Sequence, residues 1–539
     1  MKGLRSKATG ACIAFAVVAA SVTAPSAEPQ TGHGRESTDP VITSVAQGSL
    51  LGYRDDGVYT FKGIPYAASE RFGLPTTPPA WSGVRPALQY GEVCPTGTES
   101  VSPFDFMTPT GKDQVENEKC QSVNVWTKSL RTEARRPVVV WLHGGGFSSG
   151  SSSELPYYDG RNLADHGNTV FVSVNHRLNV LGYMDLSAHG EAYRDSGNLG
   201  MLDIESALKW VRDNITRFGG DPKNVTVVGQ SGGAAKVLTL MGMPSAKGLF
   251  HKAVVASGQA AGRSQSDARA QTAAVFGELG VNTVEQLKQV PHRTLLAAAG
   301  RARFSASPVI DGALYPERTV TADGKFSALS RDVPLMVSNT FAEFSTNAGA
   351  MITQAGAANP LQDAYRPQTS EARVLQLLNE RYKASTPAIV TEFRKQYPTR
   401  PLFDLLYMDA GGPANRLPTA RAKAGQGGAP VYAAVYAWTL PVFGGVTAYH
   451  TGGDLPFMLD NVDTVRSLVA GKRHVADKVA AEASGALIRF AATGDPGERV
   501  RLDWPAYDSA TGWTMVFDAR SSARRKHDER LFELISRAR

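Results

Sequence analysis

Short, mostly apolar, strand-like runs recur along this chain, at residues 138–142, 169–174, 225–228, 252–256, 335–337, 431–438 and 513–517. Because they do not alternate with polar residues, they read as strands covered on both faces, the pattern of a parallel sheet. Between the second and third runs the period becomes helical: Ile204, Ala207, Leu208, Val211 and Ile215 share one helical face, which would pack on that sheet. Further helical stretches lie around 268–279 and 371–382. Alternating strands and helices predict an α/β fold with a mostly parallel central sheet. By length alone, 539 residues could hold about three or four domains. No Pro/Ser linker, charge block or internal repeat divides them, so a polar leader at 28–40 and a single domain over 41–539 are expected.

One strand runs straight into candidate chemistry. Gly229-Gln230-Ser231-Gly232-Gly233 is a G-x-S-x-G sequence between the run at 225–228 and a helix opening at Gly232. That context predicts a nucleophile elbow, a strained turn holding the serine exposed while glycines tolerate its backbone angles. Upstream, the run at 138–142 stops at His143-Gly144-Gly145-Gly146-Phe147, an HGGG-type sequence. Ester hydrolysis passes through a tetrahedral oxyanion that preorganised N–H groups stabilise. The expected donors are the N–H groups of Gly145, Gly146 and Gly232. A chance match is the alternative for G-x-S-x-G alone, and a glycine-rich turn without a catalytic part for the HGGG-type sequence; their pairing argues against both.

A serine hydroxyl needs a general base. The chain order nucleophile, acid, base leaves His450, His474 and His527 as late enough histidines. His450 lies in a loop-like stretch after the run at 431–438, whereas His474 and His527 sit among charged residues and read as solvated surface histidines. For the acid, Glu343 follows the run at 335–337 and a turn containing Ser338 and Asn339. An ordinary surface glutamate is the alternative there, and spacing alone favours that alternative.

Taken together, these blocks resemble the type-B carboxylesterases, the α/β-hydrolase family that includes cholinesterases and bacterial para-nitrobenzyl esterases. Phe61-Lys62-Gly63-Ile64-Pro65-Tyr66-Ala67, Asn175-His176-Arg177-Leu178, Gly197-Asn198-Leu199-Gly200, Phe218-Gly219-Gly220-Asp221-Pro222, Pro308-Val309-Ile310-Asp311-Gly312 and Thr493-Gly494-Asp495-Pro496 follow in the family's order along nearly the whole chain. The resemblance implies Ser231 as nucleophile, Glu343 as acid and His450 as base. It also implies a Cys94–Cys120 disulfide near the pocket mouth, Arg71 paired with Glu118, Arg177 paired with Asp203, and large insertions roofing the site. The chain departs from the pattern at Gln230 and Gly232, where the family most often has Glu and Ala, and at Lys119, where an acid is usual. The acidic residue after His450 comes one position late.

Residues 1–27 carry Lys2, Arg5 and Lys7, then an apolar core at 11–20 and small residues, the form of a secretory signal peptide. Cleavage leaves Cys94 and Cys120, an even pair that fits an oxidising, extracytoplasmic compartment. No apolar stretch is long enough to span a membrane, so membrane insertion is not expected. The formal charge of +7 falls to +4 without the signal. The only basic cluster, 520–526, is interrupted by serines and reads as the solvated start of a C-terminal helix, so nucleic-acid binding is not expected. Two cysteines without clustered histidines make no metal site, and no cofactor is required. Phe147, Tyr157, Tyr158, Trp438 and Phe443 could line a pocket or belong to the core.

The expected function is that of a secreted or periplasmic serine esterase acting through an acyl-enzyme on small-molecule esters, first of all small aryl or alkyl esters. Amidase, carbamate or lactone hydrolysis, peptidase activity, and a non-catalytic binding protein on the same scaffold are the rivals. The presence of all three triad residues argues against the last. The sequence does not set the oligomeric state.

Overall fold

The computed structural model describes residues 39–96, 114–343, 370–410, 416–442, 445, 449–497 and 502–538. The expected signal peptide, most of the leader and Phe443 lie outside them. The first strands are β1 (Asp39–Val45), β2 (Gly48–Asp55), β3 (Val58–Pro65), β4 (Val84–Pro86) and β5 (Ser122–Thr127). They are followed by β6 (Arg136–Leu142), β7 (Val170–Val174), β8 (Gly220–Gln230) and β9 (Lys252–Ala256). A two-stranded parallel pair, β10 (Arg263–Ser264) and β11 (Val309–Ile310), stands apart. The last strands are β12 (Leu335–Thr340), β13 (Val431–Tyr436), β14 (Thr514–Phe517) and β15 (Ser522–Arg524).

The main sheet runs β1-β2-β3-β5-β7-β6-β8-β9-β12-β13-β14-β15, with β4 paired to β2. From β7 to β14 every pairing is parallel, and the strands added at either end pair antiparallel, except β4, which runs parallel to β2. The mostly apolar runs have a direct explanation. In β6, Val138, Val140 and Leu142 enter one core while Val139 and Trp141 enter another on the opposite face. The predicted helix, Leu199–Asn214, covers the first face with Met201, Ile204, Ala207, Leu208 and Val211. Arg473–Thr493 covers the second with Val479, Ala483, Leu487 and Phe490. The stretches read as helical around 268–279 and 371–382 form the helices Gln265–Leu279 and Glu371–Tyr382.

Two expectations are corrected. The basic stretch at 520–526 is not the start of a helix: Ser522–Arg524 pairs as the edge strand β15, and the C-terminal helix begins at Glu529. His527 is not a surface histidine; it is fully buried, because β15 and that helix fold its loop inward, whereas His474 is exposed as expected. Strands β1 to β5 escaped the sequence reading because they alternate or are interrupted by polar residues, and β1 takes in Asp39 and Pro40 at the leader's end.

Candidate active site

Parallel strands deliver all the candidate residues to one edge. β6 ends at Leu142, β8 at Gln230, β9 at Ala256, β12 at Thr340 and β13 at Tyr436, and register pairs Leu142 with Gly229, Gln230 with Ala256, and Thr340 with Tyr436. Chemistry in open α/β sheets collects beyond such carboxyl ends.

Ser231 leaves β8 with φ 54° and ψ −121°, and the helix Gly232–Met241 starts directly after it. A non-glycine residue held there is strained, and the turn is fixed by the Ser231 N–H donating to Ala256 O at 2.9 Å. The neighbouring glycines are required by close approach. A Cβ on Gly232 would lie 2.3 Å from Gly146 N, and one on Gly145 would lie 2.3 Å from Ser149 O, with Gly145 at φ 81°. The elbow and the glycine loop are thus packed backbone to backbone. Among the described residues, no hydrogen bond uses the N–H groups of Gly145, Gly146 or Gly232. Three donors remain open beside a partly exposed serine.

Glu343 and His450 meet although 107 positions separate them. Ala342 and Tyr449 form a parallel bridge, and the His450 N–H donates to Glu343 O at 3.1 Å, so the backbone sets the register before the side chains pair. His450 Nδ1 then donates to Glu343 Oε2 at 2.7 Å. The other oxygen, Oε1, accepts from Ser257 Oγ (2.8 Å), Asn339 Nδ2 (3.1 Å) and Thr340 N (2.8 Å). Burial opposes ionisation of Glu343, but these hydrogen bonds and the imidazole outweigh it and hold its pKa below the ordinary value. Burial likewise disfavours a charged His450; the Glu343 hydrogen bond and charge, aided by Asp454, hold its pKa above the ordinary value. The pair suits a base that must carry a proton transiently.

Several functional contacts were not foreseen. Ser257, at φ 52° just past β9, repeats the strand-end serine pattern without a G-x-S-x-G sequence to announce it. Gln230, which stands where the family most often has Glu, places its amide nitrogen 3.1 Å from His450 Nε2 and donates to Thr451 Oγ1 at 3.1 Å. Asp454 is fully buried, with Oδ1 accepting from Leu455 N and Oδ2 without a hydrogen-bond partner among the described residues; burial pushes its pKa up to about 7. The expected ion pairs Arg71–Glu118 and Arg177–Asp203 are formed, the latter at 2.7 Å. Cys94 and Cys120 are joined in a disulfide with Cα atoms 5.0 Å apart. Phe147, Tyr157, Tyr158 and Trp438 are buried in the cores. No helix among the described residues is long and apolar enough to cross a membrane.

The model of the carboxylesterase family matches residues 39–532. The para-nitrobenzyl esterase of Bacillus subtilis (strain 168) is 33% identical over 498 residues, covering 89% of this chain and 95% of that protein. Among solved structures, an esterase from anaerobic Clostridium hathewayi that can hydrolyse aliphatic aromatic polyesters superposes with a TM-score of 0.83 at 35% identity, over 93% of this chain and 100% of that one. A PNB esterase superposes with a TM-score of 0.72 at 29% identity, over 92% and 99%.

Proposed function

The chain belongs to the carboxylesterase family and is a carboxylic ester hydrolase with an α/β-hydrolase fold; on that premise we propose that Ser231, His450 and Glu343 form its catalytic triad. The observation that carries this is the 2.7 Å hydrogen bond from His450 Nδ1 to Glu343 Oε2. It favours the tautomer protonated on Nδ1, whose unprotonated Nε2 lies 3.1 Å from the amide nitrogen of Gln230, the residue next to Ser231. His450 Nε2 takes the Ser231 proton as Oγ attacks the ester carbonyl. The oxyanion so formed is met by the N–H groups of Gly145, Gly146 and Gly232, each such donor worth about 3 kcal/mol. The imidazolium returns the proton to the departing alcohol, leaving an acyl-serine. Water, deprotonated by the same histidine, then releases the acid and regenerates Ser231.

Small aryl or alkyl esters are the proposed substrates, supported by a relative that acts on aliphatic aromatic polyesters. A secreted or periplasmic location is proposed from the signal-like residues 1–27 and is compatible with the disulfide. The residues between 28 and the start of β1 at Asp39 are then a short leader, two residues shorter than the expected 28–40, and one hydrolase domain follows. The test is hydrolysis of para-nitrophenyl esters of increasing acyl length, with Ser231→Ala as control. Turnover abolished by the substitution is expected, and the length dependence reports the depth of the acyl pocket. Turnover that survives in Ser231→Ala would sink the triad assignment.

A further inference from the structure

Lys236 is fully buried five residues after Ser231, and nothing in the acylation scheme uses it. The cost of placing it there is visible in its pKa, which burial pulls down to about 7 with only Glu154 opposing. Among the described residues no carboxylate pairs with its Nζ. Its one hydrogen bond among the described residues is donated to the backbone carbonyl of His143, at 3.0 Å. His143 opens the glycine loop, and the same helix face carries Gly232 against Gly146 and Gly233 against Leu142 O. Around the ammonium lie the rings of His143 and His176, stacked at 4.9 Å, and the ring of Phe147, 6.0 Å away. Both imidazoles are held neutral by burial, with Lys236 adding to the effect.

We propose that Lys236 is a positioning residue for the oxyanion loop: its amino group ties the first carbonyl of that loop to the helix that follows the nucleophile. The glycine loop has no side chains with which to hold itself, and glycine is the residue with most backbone freedom to lose. A donor reaching the His143 carbonyl from the elbow helix fixes the path of Gly144 to Gly146 relative to Ser231. Preorganisation of this kind lowers the barrier without strengthening ground-state binding. The loop therefore depends on a buried amine whose removal leaves a buried carbonyl unpaired.

The inference rests on the proposed triad and oxyanion hole. Its test is the pair Lys236→Met and Lys236→Gln, assayed with para-nitrophenyl butyrate. Two inhibitors accompany the assay: a trifluoromethyl ketone, which forms an oxyanion on the serine, and the matching methyl ketone, which binds as a ground-state mimic. In Lys236→Met, kcat should fall about 10- to 100-fold, the affinity of the trifluoromethyl ketone should fall by the same factor, and KM and the methyl ketone should change by less than about twofold. Lys236→Gln, which keeps an N–H donor, should recover part of the loss; if the Met variant does not fold, the Gln variant carries the same comparison with smaller factors. Unchanged kcat and trifluoromethyl ketone affinity would overturn the proposal, as would equal weakening of both ketones. A dead Ser231→Ala beside a fully active Lys236→Met sinks only the role of Lys236, whereas an active Ser231→Ala sinks the triad reading beneath it.

Discussion

His450 and His527 are both buried beside a carboxylate, yet they lie on opposite sides of the ordinary histidine pKa. Burial disfavours the charged ring in each case. At His450, Glu343 accepts a direct 2.7 Å hydrogen bond, and its remaining donors, Ser257, Asn339 and the Thr340 N–H, are neutral, so its charge is undivided. At His527, Asp528 Oδ2 is 3.6 Å from Nε2 and already accepts from Tyr397 OH at 2.9 Å and Arg416 at 3.0 Å. Arg416, Arg524 and Arg400 further oppose a second positive charge, and the pKa is pushed down to about 4. A neighbouring carboxylate makes a histidine basic only when its charge is not already spent on other cations.

The largest break in this comparison is Glu343→Gln. The amide keeps the shape but removes the charge that raises His450 and fixes its tautomer. On the scale of comparable triads, kcat should fall about 10³- to 10⁴-fold with the thermal midpoint nearly unchanged. Single-turnover assays on folded protein would check this, and a loss below about tenfold would mean that Glu343 is not the orienting acid.

The second break concerns stability. His527 has a folded pKa depressed to about 4 from an ordinary 6.5. Its neutral form therefore contributes stability that is present above about pH 6.5 and lost as pH falls toward 4, where the unfolded chain binds the proton more readily. The shift corresponds to about 3 kcal/mol. Urea unfolding of wild type and His527→Gln should show the stability difference between them shrinking by that order between pH 7 and pH 4. A difference independent of pH would mean that His527 is not held neutral.

The same contrast explains what could be read from the sequence. The elbow and glycine loop are local objects, and their residue types are dictated by contacts a Cβ would violate, so Ser231, Gly145, Gly146 and Gly232 announce themselves in short motifs. Glu343 and His450 meet only because β12 and β13 are adjacent and Ala342 bridges Tyr449, a register that spacing along the chain cannot supply; family resemblance supplied it instead. His527 was misread because charged neighbours in sequence imply solvent, whereas its own neighbour Asp528 pairs inward with Arg416, 112 positions away. The alternating N-terminal strands were overlooked for a related reason, since only unbroken runs stand out without knowledge of which face is covered.

The finest adjustment is available at Gln230. Its amide lies 3.1 Å from His450 Nε2, on the far side of the ring from Glu343, with Asp454 the other acidic group that acts on the imidazole. Gln230→Glu would set a further carboxylate against His450, and among the described residues no arginine bonds to this side chain, so the comparison with His527 predicts a further rise in the His450 pKa. An opposite charge at this range typically shifts a pKa by about one unit or more. Burial of the new carboxylate offsets part of that, leaving about one unit, or ~1.4 kcal/mol. The sign is set by which form works: in the proposed mechanism His450 must be neutral to accept the serine proton, so a higher pKa moves the acid limb of kcat/KM to higher pH. Activity at pH 6 should therefore drop roughly tenfold while the plateau at alkaline pH is kept. An acid limb that stays in place would mean that the amide does not face Nε2 in the working enzyme, and one that moves downward would mean that the added carboxylate is itself protonated and donating to the ring.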